Sequence, residues 1–309
     1  MKRKVYGQLL EWKSQEHHKP LILNGVRQCG KTYVLKEFGR QEFDSLAYVS
    51  CDRNVNLQAI YSGDFDVARI IQGLSALTGV DIIPGKTLIF LDEVQAFPQA
   101  LEALKYFCED APEYHIVVAG SLLGVALHAG VSFPVGKVQT LRLFPMDFEE
   151  FLMAMGEEQL LKLMHSHDYE LMNAFHEKLK DLLRQYYYVG GMPEVVKAFA
   201  ENKLLNQVRS LQNEILSNYA SDFSKHAPSQ EVPRIDMVWQ SILGQLSKEN
   251  KKFVYGVLKK GGRAKEFELA IQWLVDAGLV YKITKVSKPE LPLKFYEDLS
   301  AFKLYLCDC

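Results

Sequence analysis

Residues 20–32 read PLILNGVRQCGKT, and this stretch decides the fold. Pro20 to Val26 is an apolar run interrupted only by Asn24 and Gly25, the pattern of a buried strand. It leads directly into GVRQCGKT, Gly25 to Thr32, which satisfies G-x-x-x-x-G-K-[ST] in full, and a helical pattern opens near Gly30. The spacing has a physical reason. Successive backbone N–H groups in such a loop make a concave anion site, and the helix N-terminus adds partial positive charge. Gly25 and Gly30 let the backbone approach phosphates without a Cβ in the way. Val26, Arg27, Gln28 and Cys29 complete the loop, and Tyr33 follows on the helix. Lys31 is expected on the β- and γ-phosphates, and the Thr32 hydroxyl on magnesium. The expected ligands are a nucleotide polyphosphate and Mg2+.

Two further runs end in polar residues. LIFLDEVQ closes a buried strand with Asp92 and Glu93. At the carboxyl edge of an open α/β sheet, where ligands bind, Asp92 is placed to hold magnesium and Glu93 to polarise an attacking water. The competing reading is a pair of acids capping the next helix. VVAGSLLG ends another strand with Ser121 between Gly120 and Gly124, a hydroxyl suited to orienting water or sensing hydrolysis. YYYVGGMPEVV, with Gly190, Gly191, Met192 and Pro193, reads by itself as a helix stop.

Strand-like runs start also at Ser45, His115 and Val135, with helical patterns from Asp64 and Pro98 between them. Uninterrupted Val/Ile/Leu strands separated by helices predict an α/β fold with a parallel sheet covered on both faces. After Asp147 the spacing is helical. The last segment, IDMVWQSILGQLSKEN, KKFVYGVLKKG, RAKEFELAIQWLVDAG and LVYKITKV, reads as three helices and a strand, a winged helix-turn-helix pattern. The expected division is a core over 1–150, a helical lid over 151–230, a winged helix over 231–290, and the start of a further domain over 291–309.

Composition removes other classes. Of 309 residues, 48% are hydrophobic and 24% charged, which excludes disorder, collagen and coiled coil as global descriptions. No apolar run approaches the ~18 residues of a membrane span, and the basic N-terminus has no apolar stretch after it, so neither a membrane partner nor a secretory signal is expected. The five cysteines, none in a C-x-x-C pair, fit a reducing cytoplasm better than a disulfide framework or zinc site. The histidines, among them His17, His18 and His128, lack ligand spacing.

The net charge of −2 hides an asymmetry: Arg234 to Lys288 carries 11 Lys/Arg against 5 Asp/Glu, a net of +6. Lys259, Lys260, Arg263 and Lys265 cluster at the start of RAKEFELAIQWLVDAG and suit DNA phosphates, whereas Ala270, Ile271, Trp273, Leu274 and Val275 form its core face. DNA contact and docking within the chain or on a protein partner both stay open.

Together, GVRQCGKT, LIFLDEVQ, VVAGSLLG, FPVGKVQTLRLFPMDFEEF and GGMPEVV resemble the prokaryotic AAA-type ATPases that carry a C-terminal domain of unknown function. These are similar to STAND-type and origin-recognition ATPases. The resemblance covers essentially the whole chain and implies a P-loop ATPase core, a helical lid and a winged helix. It implies that Gly191, Met192 and Pro193 pack against adenine and that Ser121 is a sensor. It also implies an ATP-hydrolysing switch, with a nucleotide-dependent DNA-binding or regulatory module of negligible turnover as the alternative, and a possible homo-oligomer. Many members of that family carry Gly-Arg where this chain has Gly136-Lys137. Lysine keeps the charge but loses the bidentate fork, so the expectation is either slow turnover or a finger elsewhere, with Arg142 and Arg184 as equal candidates. The family usually continues into a nuclease-like domain, so the end at FKLYLCDC leads to the expectation of a truncated form.

Overall fold

The five apolar runs of the first half become one sheet in the computed structural model: β1 (Leu21–Gly25), β2 (Ser45–Ser50), β3 (Thr87–Asp92), β4 (His115–Gly120) and β5 (Gln139–Leu143). The structure describes residues 1–63, 65–121 and 134–308, so Gly124, His128 and Cys309 lie outside it. It divides into two units, Met1–Ala200 and Glu201–Cys309. The sheet order is β2-β3-β4-β1-β5 and every pairing is parallel. Leu21 stands in register with Val117 on one side and Gln139 on the other. All five strands therefore end on one edge, and the winding changes direction at β1, where open α/β sheets bind ligands.

Helices α1 (Val5–Lys13), α2 (Lys31–Glu42), α3 (Leu57–Ile60), α4 (Val67–Thr78) and α5 (Pro98–Asp110) accompany the sheet. Alternation along the strands separates two faces. Ile22, Val49, Ile89, Leu91, Ile116 and Val118 share one core with Ile70 and Leu74 of α4 and Leu101 and Leu104 of α5. On the other face α2 lies so close that a Cβ added at Gly39 would sit 2.7 Å from Leu46 and 3.1 Å from Leu88. Trp12 of α1 packs on Phe38 of α2 with ring centroids 6.4 Å apart.

Among the described residues five helices follow: α6 (Phe148–Ala154), α7 (Glu158–Ser166), α8 (Tyr169–Ala174), α9 (His176–Val189) and α10 (Pro193–Asn202), which runs two residues past the end of the first unit. Asp147 and Glu150 cap α6 reciprocally, each side chain accepting from the other's backbone N–H, which explains the acidic start of DFEEF. Leu152, Leu160 and Leu182 join α6, α7 and α9 in a small core of their own. Tyr186 packs its ring against Phe148 and Phe151 at 5.7 and 5.5 Å, while Tyr187 and Tyr188 are exposed.

The second unit holds α11 (Leu205–His226), α12 (Val232–Leu246), α13 (Tyr255–Leu258), α14 (Ala264–Asp276), and an antiparallel ladder of β6 (Val280–Val286) with β7 (Glu297–Leu306). Phe223 is fully buried edge-on to Trp239 and Trp273, at 5.7 and 5.5 Å. Helix α14 buries Phe267, Ala270, Ile271, Trp273 and Leu274, with Val275 half-buried. Strand β7 falls in the segment 291–309 that the sequence assigns to a further domain. Here it partners β6, and Phe302 stacks on Phe253 at 5.4 Å. Among the described residues no helix is long and apolar enough to cross a membrane.

Candidate functional site

The site is built where β1, β3 and β4 end. Gly25 closes β1 so near β5 that a Cβ there would lie 2.3 Å from the Leu143 carbonyl oxygen, so only glycine fits. Gly30 takes the left-handed backbone, φ +95°, immediately before α2 begins at Lys31. Val26 and Cys29 are buried beneath the loop, Arg27 and Gln28 are half-buried, and Tyr33 is exposed on the first turn of α2. Lys31 is 6% exposed. Its ammonium donates to the carbonyls of Gly25 and Val26, both at 2.8 Å, which offsets the cost of burying the charge.

Thr32 Oγ1 donates to Asp92 Oδ2 at 2.7 Å, joining the start of α2 to the end of β3. Tyr48 of β2 donates its hydroxyl to the same oxygen at 3.3 Å. Burial nevertheless pushes the Asp92 carboxyl above the usual carboxylate range. Glu93 follows in a left-handed turn, φ 51°, which rotates it out of the strand's alternation. Its Oε2 accepts from Gln95 Nε2 at 2.5 Å and from Ser121 Oγ at 3.3 Å, so the ends of β3 and β4 meet there. Neither acid caps the next helix: Phe97 stands at the N-cap of α5 with no side-chain bond.

The turn after α9 has two glycines with two reasons. Gly190 ends the helix at φ +76°. Gly191 approaches Met146 so closely that a Cβ would meet its carbonyl oxygen at 2.3 Å, and Met146 N donates to Gly191 O at 2.7 Å. Met192 is buried, and Pro193 comes within 3.5 Å of where a Gly30 Cβ would stand. The GGMP turn is thus adjacent to the phosphate loop. Beside them Tyr33, Val34 and Glu37 of α2 line a cleft of about 390 Å³ with Met1, Arg3 and Tyr6.

Arg3 was not singled out in the sequence. It is 7% exposed and reaches both the loop and α6. Its signal was the spacing of Val5, Leu9 and Trp12, which makes KRKVYGQLLEWK an amphipathic helix start rather than a basic tail. Lys137, by contrast, precedes β5 at the amino edge of the sheet. It pairs with Glu109 at 2.9 Å, away from the loop at the carboxyl edge. Arg142 stands in register with Asn24, next to Gly25, and Arg184 pairs with Asp181 at 3.0 Å. Burial pushes the Cys29 thiol up, away from the thiolate form. Among the described residues no group of three or more His, Cys, Asp or Glu side chains is arranged to hold a metal.

This sheet order, with a phosphate loop after the first strand and an acid after the third, defines a P-loop NTPase fold of AAA type. Residues 17–152 match the model of an AAA domain, and residues 180–309 match a domain of unknown function, DUF8612. The chain is therefore an AAA domain joined to a C-terminal domain of unknown function. It is similar in structure to the Walker-type ATPase PABY2304 of Pyrococcus abyssi, with TM-score 0.60 and 13% identity over 99% of this chain and 93% of that one. Looser likenesses are to Drosophila ORC bound to DNA, TM-score 0.39, 13% identity, 97% and 90% covered. Another is to Cdc6p of Pyrobaculum aerophilum, TM-score 0.33, 13% identity, 91% and 88% covered. No curated protein matches the sequence.

Proposed function

We propose that this chain binds and hydrolyses ATP and works as a molecular switch. Its nucleotide state sets the position of the helices after residue 150 and of a winged helix formed by α12–α14 with β6 and β7. The observation that carries this reading is the convergence of Lys31, Thr32, Asp92, Glu93 and Ser121 at the ends of three adjacent strands. The donor set also fits the ligands. A hydroxyl and a carboxylate 2.7 Å apart are the hard oxygens magnesium prefers, and the buried Lys31 ammonium beside them supplies the positive charge a phosphate needs.

In this reading the amides of Gly25 to Thr32 surround the phosphates. Lys31 exchanges the Gly25 and Val26 carbonyls for the β- and γ-oxygens. Thr32 and Asp92 hold magnesium, which neutralises charge on those oxygens when bound. Glu93 accepts a proton from the attacking water as ATP and water give ADP and phosphate, and Ser121 keeps its carboxylate aimed. Tyr33 and the Gly191–Pro193 turn enclose the adenine. Arg142, one register position from Gly25, is the better placed of the two arginine candidates, and a second copy of the chain is the other source of a finger. Cys29, Cys51 and Cys108 are free thiols, which suits the cytoplasm.

Replacing Glu93→Gln keeps the shape and removes the base. ATP affinity stays within a few-fold and steady-state turnover drops about 10²–10⁴-fold, the usual worth of a general base. Unchanged phosphate release in that variant would remove Glu93 from the chemistry.

A second reading, nucleotide-dependent DNA binding, draws on one observation: Lys259, Lys260, Arg263 and Lys265 are all exposed at the start of α14. Binding to duplex DNA then weakens steeply with salt, by about 0.9 log unit per log unit of salt for each phosphate neutralised. A flat salt titration eliminates it.

A further inference from the structure

Arg3 is a charged side chain in the interior, and its surroundings say what it holds. Burying a guanidinium costs several kcal/mol unless its N–H groups are met. Here three are: Nη1 donates to Cys29 O at 2.8 Å, Nη2 to Phe144 O at 2.6 Å, and Nε to Glu150 Oε1 at 3.1 Å. The acceptors come from the phosphate loop, the exit of β5 and the first turn of α6. The guanidinium meets them from three separate nitrogens fixed in one plane, whereas an ammonium has its three donors on a single atom at the end of a flexible stem.

The Cys29 contact has a geometric consequence. That carbonyl and the N–H of Gly30 belong to one planar trans peptide and point to opposite sides. Fastening the carbonyl to Arg3 therefore turns the Gly30 N–H away from Arg3. Gly30 at φ +95° is where a peptide flips most easily, because glycine favours neither sign of φ. An untethered loop would sample the flipped form, which points an oxygen rather than a hydrogen at an anion.

Glu150 is equally committed. Its Oε1 also accepts the Lys4 N–H at 2.6 Å, and its Oε2 the Asp147 N–H at 3.3 Å as part of the α6 cap. Loop, Arg3, Glu150 and α6 form one strut.

We propose that Arg3 is a positioning residue for nucleotide: it locks the Cys29–Gly30 peptide in its anion-accepting orientation and braces that lock against the N-terminus of α6. The proposal rests on the nucleotide reading above and deepens it. Because Arg3 acts on the phosphate cradle, its loss weakens ATP and ADP alike and leaves turnover at saturating ATP nearly intact.

The test is calorimetric titration of the full chain with MgATP and MgADP, alongside thermal melting and steady-state kinetics. Arg3→Lys weakens both nucleotides about tenfold or more, the worth of one charge-assisted bond, and raises KM with kcat kept within about threefold. The pair Arg3→Met with Glu150→Gln removes both buried charges while glutamine keeps an acceptor for the α6 cap, so the melting temperature returns toward the wild type. Nucleotide affinity in that pair stays as weak as in Arg3→Lys. Affinity that recovers together with the melting temperature overturns the proposal, as does wild-type affinity in Arg3→Lys. A wild-type chain indifferent to adenylates overturns the nucleotide reading itself, an outcome distinct from both.

Discussion

At the carboxyl edge of the sheet, Lys31, Asp92 and Ser121 are buried: Lys31 donates to loop carbonyls, Asp92 accepts from Thr32 and Tyr48, and Ser121 donates to Glu93. At the amino edge of the same sheet, His18 and His115 stack at 3.8 Å, framed by Trp12 and Phe43, while Lys137 and Glu109 pair in the open. The amino edge closes the sheet by ring packing and leaves its ion pair to water. The carboxyl edge gathers charge where burial works against it, as the raised Asp92 carboxyl records. An edge that only closed a sheet would resemble the first. The second is what the proposed function calls for, an edge that a bound ligand would complete.

The largest effect that would break this contrast is at Lys31. Lys31→Ala removes the buried ammonium, and ATP affinity falls at least about 100-fold, the worth of roughly 3 kcal/mol. Calorimetry at millimolar ATP measures it; retained binding dissolves the distinction between the edges. Next comes the turnover loss of Glu93→Gln, which sharpens it, because only chemistry moves. The smallest effect belongs to the other edge. Burial, with the nearby His18 second, lowers the His115 pKa to about 4. The unfolded chain takes up that proton near pH ~6.5 and the folded chain resists it, so stability is complete above ~6.5 and is lost as the pH falls toward 4. The loss amounts to at most about 3 kcal/mol over that window. Urea unfolding at neutral and mildly acidic pH checks it against His115→Phe, which shows the shallower loss. Parallel pH dependence in the two proteins excludes His115 as the cause.

Much of this was readable in the sequence because the signals are local. The runs over 21–25, 87–92 and 115–120 carry strand burial in their composition, and Gly25–Thr32 carries its loop geometry in two glycines and a lysine. Helix α14 and strand β6 followed from spacing in the same way. What escaped is non-local. That β1 lies between β4 and β5 is a matter of pairing, and the parallel register of Gln139 with Leu21 puts Lys137 at the far edge from the loop. Strand β7 follows a segment with exposed Leu291, Leu293 and Phe295, which reads as a fresh beginning; its pairing with β6 rests on contacts across that segment. Arg3 looked like one of three basic residues at a terminus. Its role depends on Cys29, Phe144 and Glu150, which are distant in the chain.

The four residues Leu143 to Met146 touch both glycine-dependent turns: the Leu143 carbonyl abuts Gly25, and the Met146 carbonyl abuts Gly191. Pro145 stiffens the stretch between them by fixing its φ. Such a segment behaves as a push-rod. On the proposed nucleotide reading, pressure on its Leu143 end would be passed to its Met146 end, so a shift at the phosphate tail would reach the base without passing through the ligand.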